Sequence, residues 1–241
     1  MKFRYCLLTA CLGAALAGCA GSNSGSGGYA SGPERAAYDR SISETAVYRK
    51  EAALPLTPLK YPVEAASLTN YPGWAEGKEG RNVTLARDNW ITVEPELQAM
   101  CKGIAAERVV DKLHKLLGLK PATPDDAKAK FVLMTIEKTQ PVGPTGQGVF
   151  RPCADPYPGA SQCGNTLAGP PAYAQWFART TIGSFKLDSE IAETGYPWTR
   201  LGYTYNWDPQ ASSPRGPQEY VAPKGTVVHI RKIVTAQEYC H

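Results

Sequence analysis

Residues 141–171 constrain the fold more than any other stretch of this chain. Seven Pro and six Gly fall within these 31 positions. Proline removes a backbone donor and fixes φ, and glycine leaves the backbone unrestrained, so neither a helix nor a central strand runs through such a segment. Cys153 and Cys163 lie inside it. A bond between them would give an irregular loop one shape, and a long loop held in one shape reads as a functional display rather than as disorder. Regular structure must be built on either side of this interruption.

On the N-terminal side, Asn82 to Val93 reads as extended, with Val83, Leu85, Trp90, Ile91 and Val93 as its apolar content. Pro95 suits the first turn of a helix. Leu97, Met100, Cys101 and Ile104 then recur at helical spacing, weakened by Gly103. Val109, Val110, Leu113, Leu116 and Leu117 form a clean apolar stripe that Gly118 and Pro121 stop. The spacing predicts one helix or two consecutive helices over 95–118. Phe131 to Ile136 is a short, nearly continuous apolar run, the pattern of a strand buried on both faces.

On the C-terminal side, a short helix is expected within 172–182, carrying Tyr173, Trp176 and Phe177. Residues 199–207 alternate with period two, which predicts a strand, and 208–217 reads as a turn-rich loop. A last strand is expected over 225–234. The fold class is therefore α+β: a small sheet with a packed helix and a long disulfide-bridged Pro/Gly-rich loop.

The first 18 residues have the layout of a secretory signal. Lys2 and Arg4 precede an apolar run from Cys6 to Leu16 that is too short to span a bilayer comfortably. The tetrad Leu16-Ala17-Gly18-Cys19 resembles the lipobox of bacterial lipoproteins. The resemblance covers residues 1–19 only, and the remainder resembles no known family. It implies cleavage before Cys19, lipidation of Cys19 by diacylglycerol and an acyl chain such as palmitate, and anchoring in a membrane of the cell envelope. Ala20, standing where an Asp favours inner-membrane retention, implies the outer membrane in a Gram-negative cell. Gly21 to Gly32, with five Gly and four Ser, predicts a flexible tether spanning about 20 Å. The expected organisation is a signal over 1–18, a lipidated Cys and tether over 19–60, and a single globular domain over 61–241.

Without the signal and the lipidated residue, four of the seven Cys remain. In an exported chain an even number predicts two disulfides. The expected pairs are Cys153–Cys163, closing the Pro/Gly-rich loop, and Cys101–Cys240, stapling the C-terminus to a helix. A four-Cys zinc site is the competing arrangement, but no C-x-x-C pair supports it.

Charge excludes little beyond a nucleic-acid surface. The chain carries a net +4, which is too weak for that partner. No G-x-S-x-G or S-x-x-K motif marks a nucleophile, and His114, His229 and His241 lack metalloprotease spacing. Carboxylates for glycoside hydrolysis would have to come from Asp155, Asp188, Glu190 and Glu193. No cofactor is indicated. The most distinctive chemistry is aromatic: Tyr196, Trp198, Tyr203, Tyr205 and Trp207 crowd together with Arg200. Leu201, Tyr203, Tyr205 and Trp207 are expected on a core face. Trp198 and Arg200, with Tyr196 and Trp176, are expected on a binding surface, since aromatics with an Arg suit binding hot spots.

The leading functional expectation is a non-catalytic binding or accessory component of a cell-envelope assembly. A glycan- or peptidoglycan-binding lipoprotein using exposed aromatics is the second, and a carboxylate-based hydrolase the third.

Overall fold

The computed structural model describes residues 32–186 and 195–241. In chain order the elements are α1 (Pro33–Ala46), β1 (Val63–Thr69), β2 (Asn82–Thr84), β3 (Asn89–Val93), α2 (Glu96–Cys101), α3 (Val109–Leu116), β4 (Lys130–Ile136), α4 (Pro171–Phe185), β5 (Tyr203–Tyr205), β6 (Arg215–Ala222), β7 (Val227–Thr235) and α5 (Ala236–Cys240). The fold is α+β. Seven strands form an antiparallel sheet in the order β2-β7-β4-β1-β3-β6-β5.

Both faces of the central strands are buried, which is why β4 reads as a continuous apolar run. One face carries Val63, Ala65, Ile91, Val132, Met134, Tyr220 and Ile230. Irregular segments cover it, including Val149 from the Pro/Gly-rich stretch. The other face carries Ala66 and Phe131 and takes Leu97 of α2, Leu113 and Leu116 of α3, and Tyr239 of α5. Phe131 and Tyr239 stack with ring centroids 3.9 Å apart. Helix α4 caps the same face further along, where Tyr173, Trp176 and Phe177 close over Phe150 and Val221.

The helical stretch resolves into two helices. α2 stops at Cys101, and Gly103 at φ +79° turns the chain in a conformation open to glycine. α3 buries the stripe of Val109, Leu113 and Leu116 as its spacing requires. α5 begins with a reciprocal cap: Thr235 Oγ1 accepts from the Glu238 N–H at 3.1 Å, and Glu238 Oε2 accepts from the Thr235 N–H at 2.7 Å.

Both expected disulfides are present. Cys101–Cys240 joins the end of α2 to the end of α5, and Cys153–Cys163 closes the Pro/Gly-rich loop. The stretch 149–154 of that loop is packed inside rather than displayed, with Val149, Phe150, Arg151 and Cys153 all buried, while Ser161, Gln162 and Leu167 further along are exposed. Arg151 organises it. Its guanidinium donates to the carbonyl oxygens of Ala160 (2.6 Å) and Thr57 (3.0 Å) and to the Tyr220 hydroxyl (3.0 Å).

Packing begins earlier than residue 61. Within 33–60, expected above to be part of the tether, Tyr38 of α1 is fully buried, packs edge-on against Trp207 at 5.4 Å, and donates to the Gly195 carbonyl at 2.8 Å. Leu56 is buried, and its N–H and that of Leu59 donate to the carbonyls of Ser161 and Pro158 in the bridged loop. The charge-rich sequence of α1 hides this role, since the helix buries only a narrow line of small residues around one Tyr.

The expected strand over 199–207 shrinks to Tyr203–Tyr205, because Arg200 (φ +58°) and Gly202 (φ +79°) turn the backbone just before it. A side chain at Gly202 would also meet Arg151 Cδ at 2.7 Å. The end of the expected 208–217 loop belongs to β6, which begins at Arg215.

Candidate functional site

A cavity of about 520 Å³ opens between the helix-covered face of the sheet and the helices above it. Its floor is Ala66 and Leu68 of β1, Trp90 and Thr92 of β3, Phe131 of β4 and Glu219 of β6. Its walls are Leu97 of α2, residues 117–119 after α3, the Thr180–Ser184 turn of α4, and Tyr196, Pro197 and Trp198. The space exists because β1 supplies a methyl group at Ala66 where a larger side chain would fill it, and because α3 and α4 cover separate parts of the sheet. Its volume lies within the range of about 300–1,000 Å³ common to small-molecule sites.

The lining is apolar and aromatic with one buried acid. Glu219 is 6% exposed, and its Oε1 accepts a hydrogen bond from Trp198 Nε1 at 3.1 Å. Its second carboxyl oxygen has no hydrogen-bond partner among the described residues. Burial pushes the Glu219 carboxyl up to about 8, and the indole hydrogen bond opposes this only in part. No Lys, Arg or His is among the described residues lining the cavity. The other hydroxyls are largely committed or half-exposed. Thr204 donates to the Leu116 carbonyl at 2.6 Å and Tyr205 to Glu44, whereas the Thr92 hydroxyl, in register with Glu219 on the neighbouring strand, is buried without a hydrogen-bond partner among the described residues. Thr180 and Ser184 sit on a half-exposed turn.

Trp90 and Tyr196 line the cavity and are also 39% and 40% exposed, so they stand at its mouth. The Lys120 ammonium lies 5.5 Å from the Tyr196 ring centroid. Behind them the aromatic rings form a continuous cluster. Trp198 packs against Trp90 at 6.0 Å, Trp176 at 6.3 Å and Phe177 at 5.2 Å.

The four residues expected to form a binding surface therefore divide. Tyr196 is exposed at the cavity mouth. Trp198 lines the cavity but is buried, so its ring faces inward rather than to solvent. Trp176 lies in the supporting cluster, with its Nε1 donating to Asp88 Oδ2 at 3.1 Å. Arg200 is not in the lining. Its guanidinium donates to the carbonyls of Thr45 (2.5 Å) and Ala46 (3.1 Å) and so holds the end of α1. The alternating pattern placed Trp198 and Arg200 outward, and the turn at Arg200 and Gly202 removes the period on which that depended.

Among the candidate carboxylates, Asp155 accepts from the Tyr157 N–H at 3.0 Å within the bridged loop. Asp188, Glu190 and Glu193 lie outside the described residues, as does Cys19. His114 is buried with Nδ1 2.7 Å from the Lys120 carbonyl oxygen, and His229 Nδ1 lies 3.1 Å from Asn82 Oδ1. The described residues contain no cluster of His, Cys, Asp or Glu arranged to hold a metal, and no helix among them is long and apolar enough to cross a membrane. Sequence reasoning missed Glu219, because a single acid between Gln218 and Tyr220 looks like a solvated residue.

Comparison with known proteins finds no matching family model, no matching curated protein and no matching solved structure.

Proposed function

We propose that this protein is a lipid-anchored component of a bacterial cell envelope, held to the membrane through Cys19, that acts by binding an apolar ligand rather than by catalysis. The observation that carries the reading is the inward turn of the aromatic group. Trp198, Trp90 and Tyr196 line or rim a cavity of ligand size instead of forming an outer face. This favours an apolar ligand over a glycan, since a sugar would need the flat faces of Trp198 and Trp176 free for stacking. A hydrolase would need a second carboxyl near Glu219, and Glu219 is the only acid among the described lining residues.

The site is tested with N-phenylnaphthylamine, a neutral fluorescent apolar probe. Gly183 lines the cavity, and a Cβ built there meets nothing within 4 Å, so Gly183→Phe fills space without a backbone clash. The expected result is probe uptake by the native protein and its loss in Gly183→Phe. Absence of uptake, or uptake unchanged by the substitution, overturns the cavity assignment. The anchor is tested separately. Cys19→Ala is expected to move the protein to the soluble fraction, and unchanged membrane attachment overturns lipidation.

A further inference from the structure

We infer that the cavity selects an apolar molecule carrying one uncharged oxygen acceptor, such as an alcohol, ester or ketone, seated with that oxygen against the Glu219 carboxyl. This rests on the reading of the cavity as a binding site and specifies the chemistry of its ligand.

Three observations carry it. First, the polar capacity of the interior is small and localised. Glu219 is more than nine-tenths buried, one of its oxygens is occupied by Trp198 Nε1, and the other has no partner among the described residues; the Thr92 hydroxyl, paired with Glu219 across the strands, is likewise buried without a partner. A ligand with several polar groups would leave most of them unsatisfied against Leu68, Phe131 and Trp90. Second, the described lining offers no cation, so an anionic group brought beside Glu219 would meet an acid with nothing to neutralise either charge. Third, the acid is desolvated and no basic side chain of the lining faces it, which favours its protonated form. A protonated carboxyl donates one O–H, and the neighbouring Thr92 hydroxyl can donate another, so the complement of this one polar spot in an apolar cavity is a single acceptor oxygen with two lone pairs. An amine would instead require the ionised carboxylate, the form that burial disfavours.

The experiment measures binding of octane, octanol, octylamine and octanoate to the purified protein at neutral pH, by tryptophan emission and calorimetry. Octanol is expected to bind about tenfold more tightly than octane, a factor typical of one buried hydrogen bond. It is also expected to bind more tightly than octylamine or octanoate. Glu219→Gln keeps an N–H donor and should preserve the preference for octanol over octane. Glu219→Leu combined with Trp198→Phe removes both the carboxyl and the indole N–H it would orphan, and should cut the preference for octanol to a small remainder owed to the Thr92 hydroxyl. Octane binding as tightly as octanol overturns the inference while leaving the cavity reading intact. A preference for octylamine that Glu219→Gln abolishes also overturns it, by marking a carboxylate site for cations. If none of the four ligands binds, the cavity reading fails and the inference with it.

Discussion

Trp198 Nε1 donates to Glu219 Oε1 at 3.1 Å, linking the segment before β5 to the middle of β6 across the wall of the cavity. This is the only hydrogen bond to the Glu219 side chain among the described residues. It fixes both the orientation of the indole and the direction of the free carboxyl oxygen. The pair therefore joins the fold to the site: one group shapes the wall and the other supplies its single buried acid.

The first prediction concerns pH. The Glu219 carboxyl is raised from its ordinary value of 4.5 to about 8. Between those values the folded chain holds a proton that the unfolded chain has released. Stability is thus fully present below the unfolded value and is lost as pH rises through the window, levelling above about 8. The loss is on the order of 5 kcal/mol at most. Asp126 and Asp208 have depressed values, so their contributions vanish at acid pH, outside this window. Denaturant unfolding across the window should show the decline in the native protein and a flat response in Glu219→Gln. A native protein equally stable at both ends would refute the buried, protonated acid.

The second prediction separates Trp198 from Arg200. Trp198→Ala removes a buried ring from the aromatic cluster and should cost about 3–5 kcal/mol. Trp198→Phe keeps most of the packing but leaves the Glu219 carboxyl without its donor, at a cost of about 1–3 kcal/mol. Arg200→Ala should leave ligand uptake intact and release α1, whose last carbonyls it holds. The readout is hydrogen exchange over 33–46, which should accelerate selectively. Loss of probe binding in Arg200→Ala with α1 still protected would place Arg200 in the site instead.

The contrast between these two residues shows what the sequence reveals and what it hides. The α3 stripe and the β4 run are legible because burial on one or both faces leaves a direct periodic signature. The disulfide pairs are legible because few arrangements satisfy four Cys with these spacings. β1 is not, although it is the middle strand of the sheet. Its sequence, Val-Glu-Ala-Ala-Ser-Leu-Thr, is low in β-branched and aromatic residues. Of its small side chains Ala66 faces the cavity, so one of the residues that hide the strand also leaves room above the sheet. β6 is masked by Gly216 and Pro217 at its start. The aromatic cluster is visible as composition, but its direction depends on positive φ angles at Arg200 and Gly202. A side chain at Arg200 gives no local warning of that conformation.

The third prediction ranks the disulfides. Cys101–Cys240 closes a separation of 139 residues and Cys153–Cys163 one of ten. By loop-closure entropy the longer bridge restricts the unfolded chain more, by about 2 kcal/mol. Replacing Cys101 and Cys240 together by Ser should therefore destabilise the protein more than replacing Cys153 and Cys163. Thiol titration of the denatured, unreduced protein should find no free thiol at these four positions. The opposite ranking in chemical unfolding would mean that native packing around the short bridge outweighs the entropy of the long one.

The fourth prediction turns on Arg151, which is fully buried with no acidic partner among its hydrogen bonds. Its charge is met by the carbonyl dipoles of Thr57 and Ala160, by the Tyr220 hydroxyl, and by the Tyr220 ring 5.3 Å away. These groups belong to three separate parts of the chain: the extended segment before β1, the bridged loop and β6. A planar fork can reach all three at once, whereas an ammonium on a single stem cannot. Arg151→Lys should therefore destabilise by about 2–3 kcal/mol, the value of one lost charge-assisted hydrogen bond in a buried site. Limited proteolysis should then cut within 141–170, where the native loop resists. Arg151→Met tests the same point without a charge. It should open the loop at least as much, because the Ala160 carbonyl loses its side-chain donor and the Thr57 carbonyl keeps only the Tyr220 hydroxyl. If both variants kept native stability and protease resistance, the bridge at Cys153–Cys163 would suffice to shape the loop, and Arg151 would have no organising role.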